Sequence, residues 1–111
     1  MTNVTVPATL QESLMARLDK LGPAKSVAQV GAAIGERFSP TLLQTVAAED
    51  DATIAQALEQ LVAAELLARR GQSPHTTYQF RQGLIREVAY ESLLRQRRQA
   101  LHGAIAQAIE A

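Results

Sequence analysis

Cysteine and tryptophan are absent from the sequence. Without thiols there is no disulfide, no thiolate metal site and no cysteine nucleophile. Aromatic residues make up only 4% of the chain, so the core has to be mostly aliphatic. The two histidines, His75 and His102, are far apart and not at ligand spacing. No Ser/His/Asp set is evident. Neither GxxxxGK[ST] nor GxGxxG occurs, so the chain cannot cradle a nucleotide triphosphate by those devices. No apolar run approaches the roughly 18 residues that a membrane span needs. The opening "MTNVTVPATLQ" lacks the basic start and apolar stretch of a signal peptide. These absences predict a cytoplasmic protein with no cofactor, no metal, no membrane contact and no catalysis of its own.

What is present suits one globular domain. The chain has 111 residues, 47% apolar and 20% charged, enough for a single core. Formal net charge is zero, but it is unevenly distributed. Residues 1–65 hold four Lys/Arg and eight acids, −4, whereas residues 66–111 hold seven Arg and three Glu, +4. The basic half is free to face an acidic partner, nucleic acid or water.

Periodicity and capping signals predict six helices. Thr9 and Glu12 have capping-box spacing ahead of Leu10, Leu14, Leu18 and Leu21, which recur on one face over 10–21. Gly22 ends that helix, and Pro23 suits the first turn of the next, over 23–34, with Val27, Val30, Ala33 and Ile34 inward. Ser39-Pro40 pairs a capping side chain with proline at the first helical position, starting a helix over 40–48. Asp50 or Asp51 caps a helix over 52–64, with Ile54, Leu58, Leu61 and Val62 on one stripe. A β-hairpin follows over about 66–81, turning at Gly71, Ser73 and Pro74. The last two helices run over 82–95 and 97–110. Residues 1–6 form a flexible lead-in to a single domain over 7–111.

Short helix, turn, helix, two-stranded hairpin is the order of a winged helix. The segment Thr53–Glu65 lies where a DNA-binding relative keeps its recognition helix. That segment has no Lys or Arg and carries Glu59 and Glu65, with Asp50 and Asp51 leading in. Its carboxylates repel phosphate, and Gln56 and Gln60 do not offset them.

The arginines are the remaining candidates. Arg69 and Arg70 sit at the base of the wing, as a solvated turn or a partner contact. Arg95 suits a helix C-terminus, where a cation answers the dipole. Arg97 and Arg98 fall at the next helix's N-terminus, where the dipole is unfavourable. Pairing with Glu91 and docking on a neighbouring domain both explain them. His102 reads as a packed or surface residue. Tyr90 reads as a ring packed on the bundle with its hydroxyl hydrogen-bonded.

"LGPAKSVAQVGAAIGERFS" and "REVAYESLLRQRRQALH" are the most specific parts of a wider resemblance. From Val6 to Glu110 the chain resembles the segment after the ATPase module of bacterial STAND (AAA-like) signalling proteins. These are often fused to class III adenylate/guanylate cyclase domains. The resemblance implies a winged-helix unit between a nucleotide-binding module and a helical-repeat array. The missing stop signal at the end of the last helix agrees with a continuing array. It further implies a contact with the nucleotide-binding module at the start of the post-wing helix, where relatives read F-x-H-x-L-[IV]. Phe80, Arg81, Gln82, Gly83, Leu84 and Ile85 occupy that motif here. Gln82 stands in the histidine's place; an amide donates a hydrogen bond but does not become cationic.

The reading is a mainly α, winged-helix-like domain with one two-stranded hairpin. It is non-enzymatic and couples an ATPase module to output or sensor domains. Arg81 and Gln82 are the contact candidates toward the nucleotide-binding module, and Arg69, Arg70, Arg95, Arg97 and Arg98 toward partners. The alternative is a stand-alone winged-helix transcription regulator that binds DNA.

Overall fold

The computed structural model describes residues 8–47, 49–72 and 75–110. The expected lead-in over residues 1–6 lies outside the described residues, as do the turn residues Ser73 and Pro74. Among the described residues are six helices, α1 (Ala8–Asp19), α2 (Pro23–Ile34), α3 (Pro40–Val46), α4 (Asp51–Ala63), α5 (Gly83–Glu91) and α6 (Arg95–Glu110). Three short strands, β1 (Arg37–Phe38), β2 (Leu67–Arg70) and β3 (Thr77–Phe80), complete the fold. The fold class is mainly α, as the periodicity predicts. No helix among these residues is long and apolar enough to cross a membrane.

Local chemistry explains most boundaries. The Ser39 hydroxyl accepts the Leu42 amide at 3.1 Å, so Ser39 caps α3 with Pro40 at its first position. Asp50, rather than Asp51, caps α4, accepting the Thr53 amide at 2.9 Å. Hydrogen bonding by the Thr53 side chain, and then by this amide, holds the Asp50 carboxyl below its ordinary value. Gly22 adopts φ 59° between α1 and α2. Thr9 is already inside α1, so it is not the cap that its spacing with Glu12 suggested.

The sheet departs from the expected two-stranded hairpin. β1 pairs antiparallel with β3, Arg37 opposite Gln79 and Phe38 opposite Tyr78, giving the order β1-β3-β2. Two residues cannot display the alternation by which a strand is recognised, so β1 leaves no periodic trace. Packing holds it. The Phe38 ring lies 6.3 Å from Tyr78 and 5.9 Å from Phe80, centre to centre. Three of the chain's four aromatic rings thus meet at the sheet. A Cβ on Gly31 of α2 would come within 2.8 Å of the Phe38 ring, so glycine is what lets β1 approach.

The end of α5 also differs from expectation. The helix stops at Glu91 rather than Arg95. The Ser92 hydroxyl donates to the Ala89 carbonyl at 2.6 Å and accepts from Gln29 of α2 at 2.8 Å. The chain then turns, and Leu93 drops into the core. α6 consequently begins at Arg95, two residues early.

α2 is the central helix and packs on α3, α4, α5 and α6. Its buried face is built from small residues, Ala24, Ala28, Gly31, Ala32 and Ala33, with Val27 and Val30. Ile54, Leu58 and Leu61 of α4 share this core with Leu67 and Phe80 of the sheet. Burying one such leucine fully is worth about 1.5–3 kcal/mol. The expected stripe of α1 fails at its start, where Leu10 is 45% exposed.

Candidate interaction site

Arg81 and Gln82 sit where β3 passes into α5. Phe80 anchors the strand in the core, and the Arg81 amide donates to the Leu66 carbonyl at 3.1 Å. Gln82 holds the N-cap position of α5 with extended backbone, yet its side chain makes no cap bond. Both side chains are exposed. They line an open groove of about 360 Å³ together with Leu10, Leu14, Arg17, Glu65 and Ile85.

The far wall of that groove is the end of α4. The Leu66 amide donates to the Leu61 carbonyl and the Glu65 amide to the Val62 carbonyl, both at 3.0 Å. This double bond pattern is a Schellman motif, whose left-handed position glycine usually takes. Glu65 takes it here, at φ 64°. A non-glycine residue there is strained by roughly 1–2 kcal/mol. Arg17 of α1 donates to the Ala64 carbonyl at 2.5 Å, closing the same helix end. The groove therefore presents two cations, one carboxylate and one amide beside an apolar wall. It suits polar and ionic contacts. Among the described residues, no three His, Cys, Asp or Glu side chains are placed to hold a metal ion.

The hairpin arginines differ from each other. Arg69 lies 5.7 Å over the Tyr78 ring, with its Nε 3.4 Å from the hydroxyl and a terminal nitrogen 3.9 Å from Glu59. The hydrogen bond with the Tyr78 hydroxyl, and to a lesser extent the Glu59 carboxylate, hold its guanidinium above the ordinary value. Arg69 is thus largely occupied within the chain. Arg70 is exposed and makes no side-chain hydrogen bond or ion pair among the described residues.

Arg95 is not at a helix C-terminus as expected; it is the first residue of α6, at the positive end of the dipole. Arg98 takes the role assigned to it. Its guanidinium donates to the Glu91 carbonyl at 3.2 Å, at the end of α5, and lies 4.7 Å over the Tyr90 ring. The contact with Glu91 is therefore to backbone, and among the described residues no ion pair with its carboxylate forms. Arg97 reaches only the Ser26 hydroxyl, at 3.4 Å. The Tyr90 hydroxyl meets His102 Nε2 at 2.8 Å, and the two rings pack edge to face.

One pattern escaped the sequence reading. Arg17, Arg86 and Arg98 each bond a carbonyl at or near the C-terminal end of a different helix: α4, α2 and α5. Arg86 Nε donates to the Ala32 carbonyl at 2.9 Å. Each answers orphan carbonyls and the negative end of a dipole. The bonds to Ala64 and Ala32 span 47 and 54 residues, so no local motif announces them.

No protein-family model matches the chain, and no solved structure matches it. Over 96 residues, 86% of the chain, it is 32% identical to an uncharacterized protein of Rhizobium meliloti (strain 1021). The chain spans 9% of the length of that relative.

Proposed function

We propose that this chain is a non-catalytic winged-helix unit that couples a STAND-type ATPase module to output or sensor domains in bacterial signalling. In this reading β1, α3, α4 and the β2–β3 hairpin are the winged helix, and the hairpin is its wing. The observation that carries the reading is the surface of α4. Its exposed positions include Asp51, Gln56, Glu59 and Gln60 and no cation. Such a surface opposes a phosphate backbone and suits contact with protein. The sequence resemblance supplies the parent architecture. A relative more than ten times longer than the matched segment is in keeping with a module inside a large polypeptide. In that setting the groove of Arg17, Glu65, Arg81 and Gln82 faces the nucleotide-binding module, and the protein works in the cytoplasm.

Isothermal titration of ATP and ADP into the isolated chain tests the division of labour. The expected result is no binding tighter than millimolar, because nucleotide belongs to the absent module. A micromolar site on this chain alone contradicts the reading.

A DNA-binding regulator is the second reading, favoured by exposed Arg70 on the hairpin. Fluorescence anisotropy on bulk duplex DNA separates the two. Tight binding with a steep loss on adding salt supports the regulator. Weak binding at low salt supports the coupling unit.

A further inference from the structure

We propose that the corner between α5 and α6 is a self-complementary interface through which two copies of this chain associate about a two-fold axis. The inference stands on the corner's own geometry and does not depend on the coupling function above.

The corner breaks three local rules at once. Leu94 is the residue before α6, and its carbonyl accepts the Arg98 amide at 2.9 Å, so it holds the cap position. Leucine is among the poorest caps there. Its side chain is 78% exposed, the most exposed large apolar group among the described residues. Arg95 and Arg97 then place two exposed cations in the first turn, against the dipole. Neither forms an ion pair among the described residues. Places where several local preferences fail together are expected to be functional.

The neighbouring surface of α5 has the opposite character. Glu87 and Glu91 are exposed, one helical turn apart, and neither carboxylate is paired among the described residues. Like charges at this spacing are unfavourable in a lone helix. They border a groove of about 250 Å³ whose wall is Gln11, half-buried Met15 and the edge of buried Val88. One surface thus offers an apolar side chain ringed by cations, and the other an apolar wall ringed by carboxylates. Glu91 and Leu94 are three residues apart, yet the two surfaces remain unpaired within one chain. A two-fold axis passing between them exchanges knob and groove. Leu94 of each copy then lies against Met15 and Val88 of the other, and Arg95 and Arg97 face Glu87 and Glu91. An unrelated acidic partner accounts for the cations and leaves the carboxylates without a role. A second copy accounts for both.

Sedimentation equilibrium of the chain at low salt tests this. The wild-type mass should rise from 12.0 kDa toward twice that value with concentration. Leu94→Ser, the pair R95E/R97E and the pair E87R/E91R should each weaken association at least tenfold. Mixing the two charge-reversed proteins should restore a one-to-one complex. At micromolar dilution, Leu94→Ser should melt roughly 4–8 °C higher, because it gains a cap. A wild-type mass that stays at 12.0 kDa at millimolar concentration overturns the proposal. So does a dimer indifferent to these substitutions, or a charge-reversed mixture that stays monomeric.

Discussion

Glu65 keeps a left-handed backbone that glycine adopts without strain, and it does so beside Arg17, Arg81 and Gln82. The Schellman bonds force that conformation on whichever residue follows the α4 cap. Glu65→Gly should therefore stabilise the chain by up to about 1 kcal/mol in denaturant titration, once the entropy of glycine in the unfolded state is deducted. A loss of stability would mean that the carboxylate makes a contact that offsets the strain. Gly31 is the reverse case. A methyl group there would strike the rigid Phe38 ring, so Gly31→Ala should destabilise by about 1–3 kcal/mol. Asp50 carries a pH signature. Its folded-state pKa lies below the ordinary carboxylate value because the carboxylate is hydrogen-bonded by the Thr53 side chain and then by the Thr53 amide. Its contribution to stability is present above the unfolded pKa and lost as pH falls through the folded one. Thermal melts should thus drop on acidification below about pH 4, and Asp50→Asn should flatten that part of the curve.

At the scale of elements, arginines tie helix ends to their neighbours. Arg86 bridges α5 to the end of α2, and Arg98 joins α6 to the end of α5. Because a half-buried charged hydrogen bond is at stake, Arg86→Ala should cost about 1–2 kcal/mol, and Arg86→Lys should recover only part of it. Equal stability of Arg86→Ala and wild type by chemical denaturation would show that water replaces the contact. The starts of α3 and α4 were legible because their causes are local: Ser39-Pro40 and Asp50 act within three residues. The end of α5 was not, since Ser92 is held by Gln29, 63 positions away. That one hydroxyl moved Arg95 from a helix end, where it was expected, to a helix start. β1 was illegible for another reason: its only signal is a phenylalanine that finds a glycine on α2.

For the whole molecule, the imbalance of −4 over residues 1–65 and +4 over residues 66–111 is bridged among the described residues by one exposed ion pair, Arg69 with Glu59 at 3.9 Å. Arg69, Arg86 and Arg98 are engaged with the chain's own groups. Arg70, Arg81 and Arg95 face solvent with no partner among the described residues. The arginine-rich character was legible in the sequence, but which arginines remain available was not, because that depends on helices meeting in space. Of the two site candidates after the wing, Arg81 keeps its charge free and Gln82 keeps its amide uncapped.

The coupling account is tested most directly by the ATP hydrolysis rate of the full-length gene product. The comparison is between wild type and the double variant Arg81→Glu, Gln82→Ala. The account predicts a rate changed at least severalfold, with the melting profile of this domain preserved. A full-length protein that hydrolyses no ATP, or whose rate is unaltered by the double variant, would contradict it.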